Sequence, residues 1–199
     1  MIIKHYELKN NLKDKNNYFL LYGQNSGLIE EIIDKDLKPI FSKNIFKYDE
    51  SEILSDISAF KEGLVNKSFF ENDKLIIINR GSDKILELIE NLILKKISDT
   101  SIIIKANMLE KRSKLRSFFE KNESTICVPF YDDTYKTLLL ITQNFFLKNK
   151  IKISIQNINY IIEKSKNNRT NLKNELEKIL IFFQKEKSIK FEDIIKLTN

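Results

Sequence analysis

Residues Gly23-Gln24-Asn25-Ser26-Gly27-Leu28-Ile29 follow the apolar run Tyr18-Phe19-Leu20-Leu21-Tyr22, where a phosphate-binding turn would be sought. Such a turn needs inward-pointing amides in the spacing G-x-x-x-x-G-K-S/T, with Lys for the β- and γ-phosphates and a hydroxyl for the metal. Leu28 and Ile29 stand where the cation and the hydroxyl are required. The later run Leu75-Ile76-Ile77-Ile78 ends in Asn79-Arg80 and offers no carboxylate pair for a metal-bound nucleotide. The outline of a nucleotide-binding strand and turn is present without the residues that grip phosphate, which predicts a chain that works by binding.

Other reactive arrangements are equally bare. A single histidine, His5, and a single cysteine, Cys127, leave no Cys/His zinc cluster and no acyl-transfer triad, so neither a metal nor a cofactor is expected. Cys127 lies in an apolar run and reads as a packing residue. Asp132-Asp133 reads as a boundary turn and helix cap rather than a catalytic dyad. What remains is surface recognition. The polar segment Asn66-Lys67-Ser68-Phe69-Phe70-Glu71-Asn72-Asp73 holds two adjacent aromatics, whose side chains must diverge, so at least one is expected to face outward. Burying one Phe in a partner's pocket is worth about 1.5 to 3 kcal/mol. Lys111, Arg112, Lys114 and Arg116 cluster on a helix expected over 111–121 and are candidates for DNA or subunit contact, or else a solvated helix face.

The elements that must position these residues alternate in type. Continuous apolar runs predict strands at 18–22, 74–78, 101–105 and 125–129, with a weaker one at 45–48. Pro129 closes the last, at a strand end where its missing N–H is tolerable. Between them, Ile53, Ile57, Phe60 and Leu64 share one helical face behind the capping pair Asp49 and Glu52, and Leu86, Ile89, Ile93 and Ile97 form a second stripe. Strands separated by such helices imply a parallel sheet with helices on both faces, assigned to residues 1–130. Beyond Tyr131 no further β run occurs. Leu138, Leu139, Phe145 and Phe146 mark one helix; Ile155, Ile158 and Ile162, opened by Ser154, a second. Leu172, Leu176, Ile179, Leu180 and Phe183 mark a third, and Phe191, Ile194 and Ile195 a shorter fourth, so residues 131–199 read as a small all-helical domain.

Composition agrees with a globular, helix-rich protein. Of the 199 residues 42% are hydrophobic, with 14 Phe and 7 Tyr, enough apolar surface to offset the entropy of ordering the chain. Only 4 Gly and 2 Pro punctuate it, which disfavours an all-β fold. The 34 basic and 28 acidic side chains leave a net charge of +6, which permits contact with nucleic acid without requiring it. No apolar stretch reaches the ~18 to 20 residues of a membrane span and the N-terminus has no signal-peptide pattern, so a cytoplasmic location is expected.

The run Tyr18 to Gly23, the segment Ser68-Phe69-Phe70 with a strand following four residues on, Leu109-Glu110-Lys111-Arg112-Ser113-Lys114-Leu115-Arg116, and Asn171-Leu172-Lys173-Asn174-Glu175-Leu176-Glu177-Lys178-Ile179 occur in that order. In this the sequence resembles the delta subunit of the bacterial DNA polymerase III clamp loader. The resemblance implies a RecA-like, AAA+ domain without ATPase activity over 1–130 and a three- to four-helix lid over 131–199. It implies that Ser68, Phe69 and Phe70 bind the β sliding clamp and help open it for loading onto primed DNA during replication. The family usually shows Leu-Phe where this chain has Phe69-Phe70. The implied partners are the clamp, the gamma/tau and delta prime subunits, and primed DNA within the assembly, with polymerisation carried out by another subunit. Family members continue into a helical collar domain, so a chain ending at Asn199 implies either a fragment or an unusually short member. Two other classes remain open at the level of residues: a divergent nucleotide kinase or ATPase with unusual phosphate ligands, and a direct DNA-binding module built on Lys111, Arg112, Lys114 and Arg116.

Overall fold

The computed structural model describes residues 1–12, 18–41, 44–65, 74–95, 100–186 and 188–198. Along the chain these form α1 (Leu8–Asn11), β1 (Tyr18–Gly23), α2 (Ser26–Ile32) running through a π turn into α3 (Lys38–Phe41), and β2 (Asn44–Asp49). Next come α4 (Glu50–Ser55), α5 (Ile57–Val65), β3 (Lys74–Asn79), α6 (Leu86–Leu94), β4 (Thr100–Ala106), α7 (Lys114–Lys121) and β5 (Thr125–Phe130). Four helices complete it: α8 (Tyr135–Lys148), α9 (Ile155–Lys164), α10 (Arg169–Glu186) and α11 (Phe191–Leu197). Contacts divide the chain into two compact units, Met1–Phe130 and Tyr131–Asn199.

The first unit is built on a five-stranded sheet of order β2-β3-β4-β1-β5, every pair parallel. The three inner strands and β5 are apolar runs because helices cover both their faces. Alternation sorts the side chains. Tyr18, Leu20 and Tyr22 join Ile76, Ile78, Ile102, Ile104 and Cys127 on the face packed by α4 to α7. Phe19 and Leu21 join Leu75, Ile77, Ile103, Ile126 and Val128 on the face packed by α1, α2 and the π turn. Cys127 is fully buried, and burial pushes its thiol up to about 12, as a packing role requires. β2 is weaker in sequence because it is an edge, with Ile45 and Phe46 partly open to solvent. Pro129 lies on the other edge strand. Two residues earlier, the Cys127 amide and carbonyl bond outward to Met1 and Ile3, and the same alternation points the position that Pro129 leaves without a proton away from β1.

Two helical boundaries differ from expectation. The stripe Ile53, Ile57, Phe60 and Leu64 is carried by two helices, because Asp56 leaves helical geometry and its carboxylate accepts the Ala59 amide at 2.9 Å, capping α5. Ile53, Phe60 and Leu64 are still buried, with Ile57 packed beside them. The helix expected over 111–121 starts only at Lys114, with Ser113 as its cap, so Lys111 and Arg112 fall in the preceding turn. Of the α6 stripe, Ile97 lies outside the described residues.

In the second unit Leu138, Phe146, Ile158, Ile161, Ile162, Leu172, Leu176, Ile179 and Ile194 form the core. Ser154 caps α9 through the Asn157 amide. Ile155 stands outside the core, half exposed at the first helical position, and Ile161 completes the seam in its place. Asp133 is not a helix cap: Thr134 caps α8, while Asp133 receives Arg169 of α10 in a bidentate pair at 2.6 and 2.7 Å. Both side chains are buried, so each is the other's solvent.

Gly23 and Gly63 give opposite forecasts. Gly23 has φ +141, and a Cβ there would lie 2.0 Å from the Phe130 carbonyl oxygen. Gly63 lies in α5 with nothing within 4 Å of the same position. Gly23→Ala is therefore expected to cost roughly 3 kcal/mol or more through strain and overlap, whereas Gly63→Ala should stabilise by about 0.5 to 1 kcal/mol. Urea unfolding of both variants measures this, and a Gly23→Ala protein as stable as the parent would contradict the geometry of the β1 to β5 junction.

Candidate functional site

All five strands are parallel, so their carboxyl ends meet at one edge of the sheet, where open α/β folds place their ligands. The turn after β1 opens this edge. Asn25, itself buried, caps α2: its Oδ1 accepts the Leu28 amide at 3.1 Å. The Ser26 amide bonds Gln24 O at 2.9 Å and the Ile29 amide bonds Asn25 O at 3.1 Å. Two of the amides that a phosphate cradle would aim at its ligand, those of Ser26 and Leu28, are thus engaged by the protein's own oxygens. Leu28 and Ile29 are buried in the core beneath α2. Only three residues separate Gly23 from Gly27, one fewer than the cradle requires. An Asn directly ahead of a helix start is an N-cap signal that the sequence carried.

The neighbouring turns are closed in the same way. At the end of β4, Lys105 pairs with Glu30 of α2. Arg116 points inward from α7: its guanidinium lies over the Tyr22 ring, 5.2 Å from the centroid, while Nε donates to Glu120 Oε1 at 2.7 Å and Nη1 to the Leu109 carbonyl at 3.0 Å. The bonded Glu120 carboxylate raises its pKa further. After β3, Arg80 pairs with Asp49 of β2. Buried Glu50 accepts both the Ser82 amide, at 2.7 Å, and the Ser82 hydroxyl, at 2.8 Å. Asp83 accepts the Ser113 hydroxyl at 2.6 Å and the Leu115 and Lys114 amides at 2.9 and 3.1 Å, so a carboxylate from one turn seats the start of α7. Asp49, Glu50 and Asp83 gather at this edge, which no sequence spacing announced, and each is satisfied by protein donors. Among the described residues no group of three His, Cys, Asp or Glu is placed to hold a metal ion.

The expected recognition residues fare differently. Ser68, Phe69 and Phe70 lie outside the described residues, between α5 and β3. The basic group is divided. Lys111, Arg112 and Lys114 are exposed around the start of α7, Arg112 paired with Glu110 at 2.6 Å, whereas Arg116 is turned into the protein. Lys121, which the sequence reading passed over, joins the exposed three beside a groove between α6 and α7. No described helix is long and apolar enough to cross a membrane.

No protein-family model matches the sequence, and no curated protein matches it. Solved structures do. A five-stranded parallel sheet with helices on both faces and a helical C-terminal portion is the AAA+, RecA-like fold expected from the sequence. The Bacillus subtilis DNA clamp loader delta protein superimposes with a TM-score of 0.56 at 17% identity, over 96% of this chain and 60% of that one. Domain III of the Thermotoga maritima replication initiation protein DnaA gives 0.54 at 14% identity, over 97% of this chain and 87% of that one. A point variant of Thermotoga maritima RuvB gives 0.61 at 16% identity, over 97% and 65%. The chain thus spans about 60% of the length of the clamp loader delta protein it resembles.

Asp83 yields a pH test. The Ser113 hydroxyl, followed by the Leu115 and Lys114 amides, holds its carboxyl below the ordinary value. The unfolded chain therefore takes up the proton first on acidification, so the contribution of Asp83 is complete above about pH 4 and fades as the pH falls below it. Asp83→Ala should cost about 1 kcal/mol at pH 7, and the gap to the parent should be narrower at about pH 3. Paired urea titrations at the two pH values check this, and a gap independent of pH would remove the carboxylate from the role of cap.

Proposed function

We propose that this chain acts by binding, as a clamp-loader subunit of the delta kind. Its α/β unit is a scaffold that works without nucleotide of its own and presents residues 68–70 to a ring-shaped sliding clamp. The observation that carries the reading is the turn after β1. There an AAA+ framework keeps its strand, turn and helix, while Asn25 closes the cap and Leu28 and Ile29 belong to the core. A protein with that framework and a closed cradle is suited to stand beside ATP-driven neighbours and to follow them without hydrolysing ATP itself.

Phe69 and Phe70 would dock in an apolar pocket of the clamp, and the rigid sheet behind them would favour an opened clamp interface. Such a partner shifts the clamp only by binding its open state better than its closed one. The order of the residue motifs favours this partner, and the likeness in fold to a clamp loader delta protein is compatible with it. The gamma/tau and delta prime subunits and primed DNA belong to the same proposal, as does a place in the cytoplasm.

The test is a calorimetric titration of the full chain with the sliding clamp from the same organism. Phe69→Ala combined with Phe70→Ala should weaken binding by about 100-fold or more, as the loss of two buried rings implies. Circular dichroism should be unchanged. Undiminished clamp binding would sink the proposal, and the parallel titration with Mg-ATP should show no binding. Saturable ATP binding would favour instead a divergent kinase or ATPase.

A further inference from the structure

A groove of about 670 Å³ runs between α6 and α7, away from the turn after β1. Its floor is apolar, made by Leu86 and Phe118, both only partly buried. Its α7 wall is a single helical stripe, Lys114, Ser117, Phe118 and Lys121, with Lys111 and Arg112 beyond its amino end. Its α6 wall bears Glu90. Lys111, Lys114 and Lys121 are exposed and form no salt bridge among the described residues, so this side of the unit carries positive charge above an apolar floor.

Lys114 and Lys121 are seven residues apart, about 10.5 Å along the helix, with Phe118 between them. A second helix presenting carboxylates at i and i+7 and apolar residues at i+3 and i+4 matches that pattern when laid along the groove. A nucleic-acid strand matches it less well. Single strands stack successive bases on rows of aromatic side chains, and the lining holds one such ring, Phe118, beside the aliphatic Leu86.

We propose that the groove between α6 and α7 receives an acidic amphipathic helix of a protein partner. The partner's apolar residues rest on Leu86 and Phe118, and its carboxylates face Lys114 and Lys121. This proposal does not rest on the clamp reading.

The probe is a fluorescein-labelled synthetic peptide of about 18 residues, with Glu at i and i+7 and Leu at i+3 and i+4, titrated with the full chain by fluorescence anisotropy. Saturable binding that weakens with salt is expected, with a loss of about tenfold in the Lys114→Glu, Lys121→Glu variant. A peptide with Lys in place of those Glu residues should recover binding to that variant and not to the parent. Because Lys114 adjoins the Asp83 cap, Lys111→Glu with Lys121→Glu provides a second charge reversal that leaves the cap untouched. Phe69→Ala with Phe70→Ala should leave peptide binding unchanged, which separates this proposal from the clamp reading. Equal binding of a shuffled peptide, absence of the charge-swap rescue, no binding at all, or displacement of the peptide by an oligothymidine of about 15 nucleotides would each overturn the proposal.

Discussion

A parallel sheet covered on both faces leaves its backbone no water to bond, so every inner strand must be paired on both sides and roofed by helices. The first unit meets this demand with five strands, the α4 to α7 layer on one face and the α1 and α2 layer on the other. The same parallel arrangement sends each strand's carboxyl end to a common edge. Five turns converge there, and what they hold decides what the protein can do.

In this protein the turns hold one another. Asn25 closes one helix start, Asp83 seats another, Glu50 anchors the chain leaving β3, and Arg116 lies over the ring at the end of β1. Each bond occupies a polar group of the edge within the protein. These bonds brace the edge, and under the two binding proposals recognition falls to the segment between α5 and β3 and to the groove along α7. A stiff support is useful to both, because ordering a binding surface in advance lowers the entropy lost when a partner arrives.

The strands were legible because burial on both faces writes an unbroken apolar run: Leu75 to Ile78 and Ile102 to Ile104 could hardly be anything else. The helical stripe from Ile53 to Leu64 was legible for its periodicity, yet the break at Asp56 was not, since a side chain capping its own backbone leaves the stripe intact. Long-range partnerships were invisible for a different reason. The pairing of Asp133 with Arg169 joins residues 36 apart, and that of Asp83 with Leu115 residues 32 apart, and only the folded topology brings them together. The basic group near α7 was legible in composition but not in direction. Arg116 turns inward because Tyr22 and Glu120 wait there, while Lys121 belongs to the exposed side through its place on the helix.

The closed turn after β1 has an evolutionary consequence. A chain that had merely lost one phosphate ligand could regain it by a single substitution. In this chain a phosphate cradle would take three changes at once: an added residue between Gly23 and Gly27, and polar replacements at Leu28 and Ile29, both buried. Placing Lys or Ser at such positions costs about 2 to 5 kcal/mol each, against a total stability of roughly 5 to 15 kcal/mol for a domain. Each such replacement alone weakens the fold before any nucleotide can repay it. The core beneath α2 therefore resists conversion of this turn into a phosphate cradle.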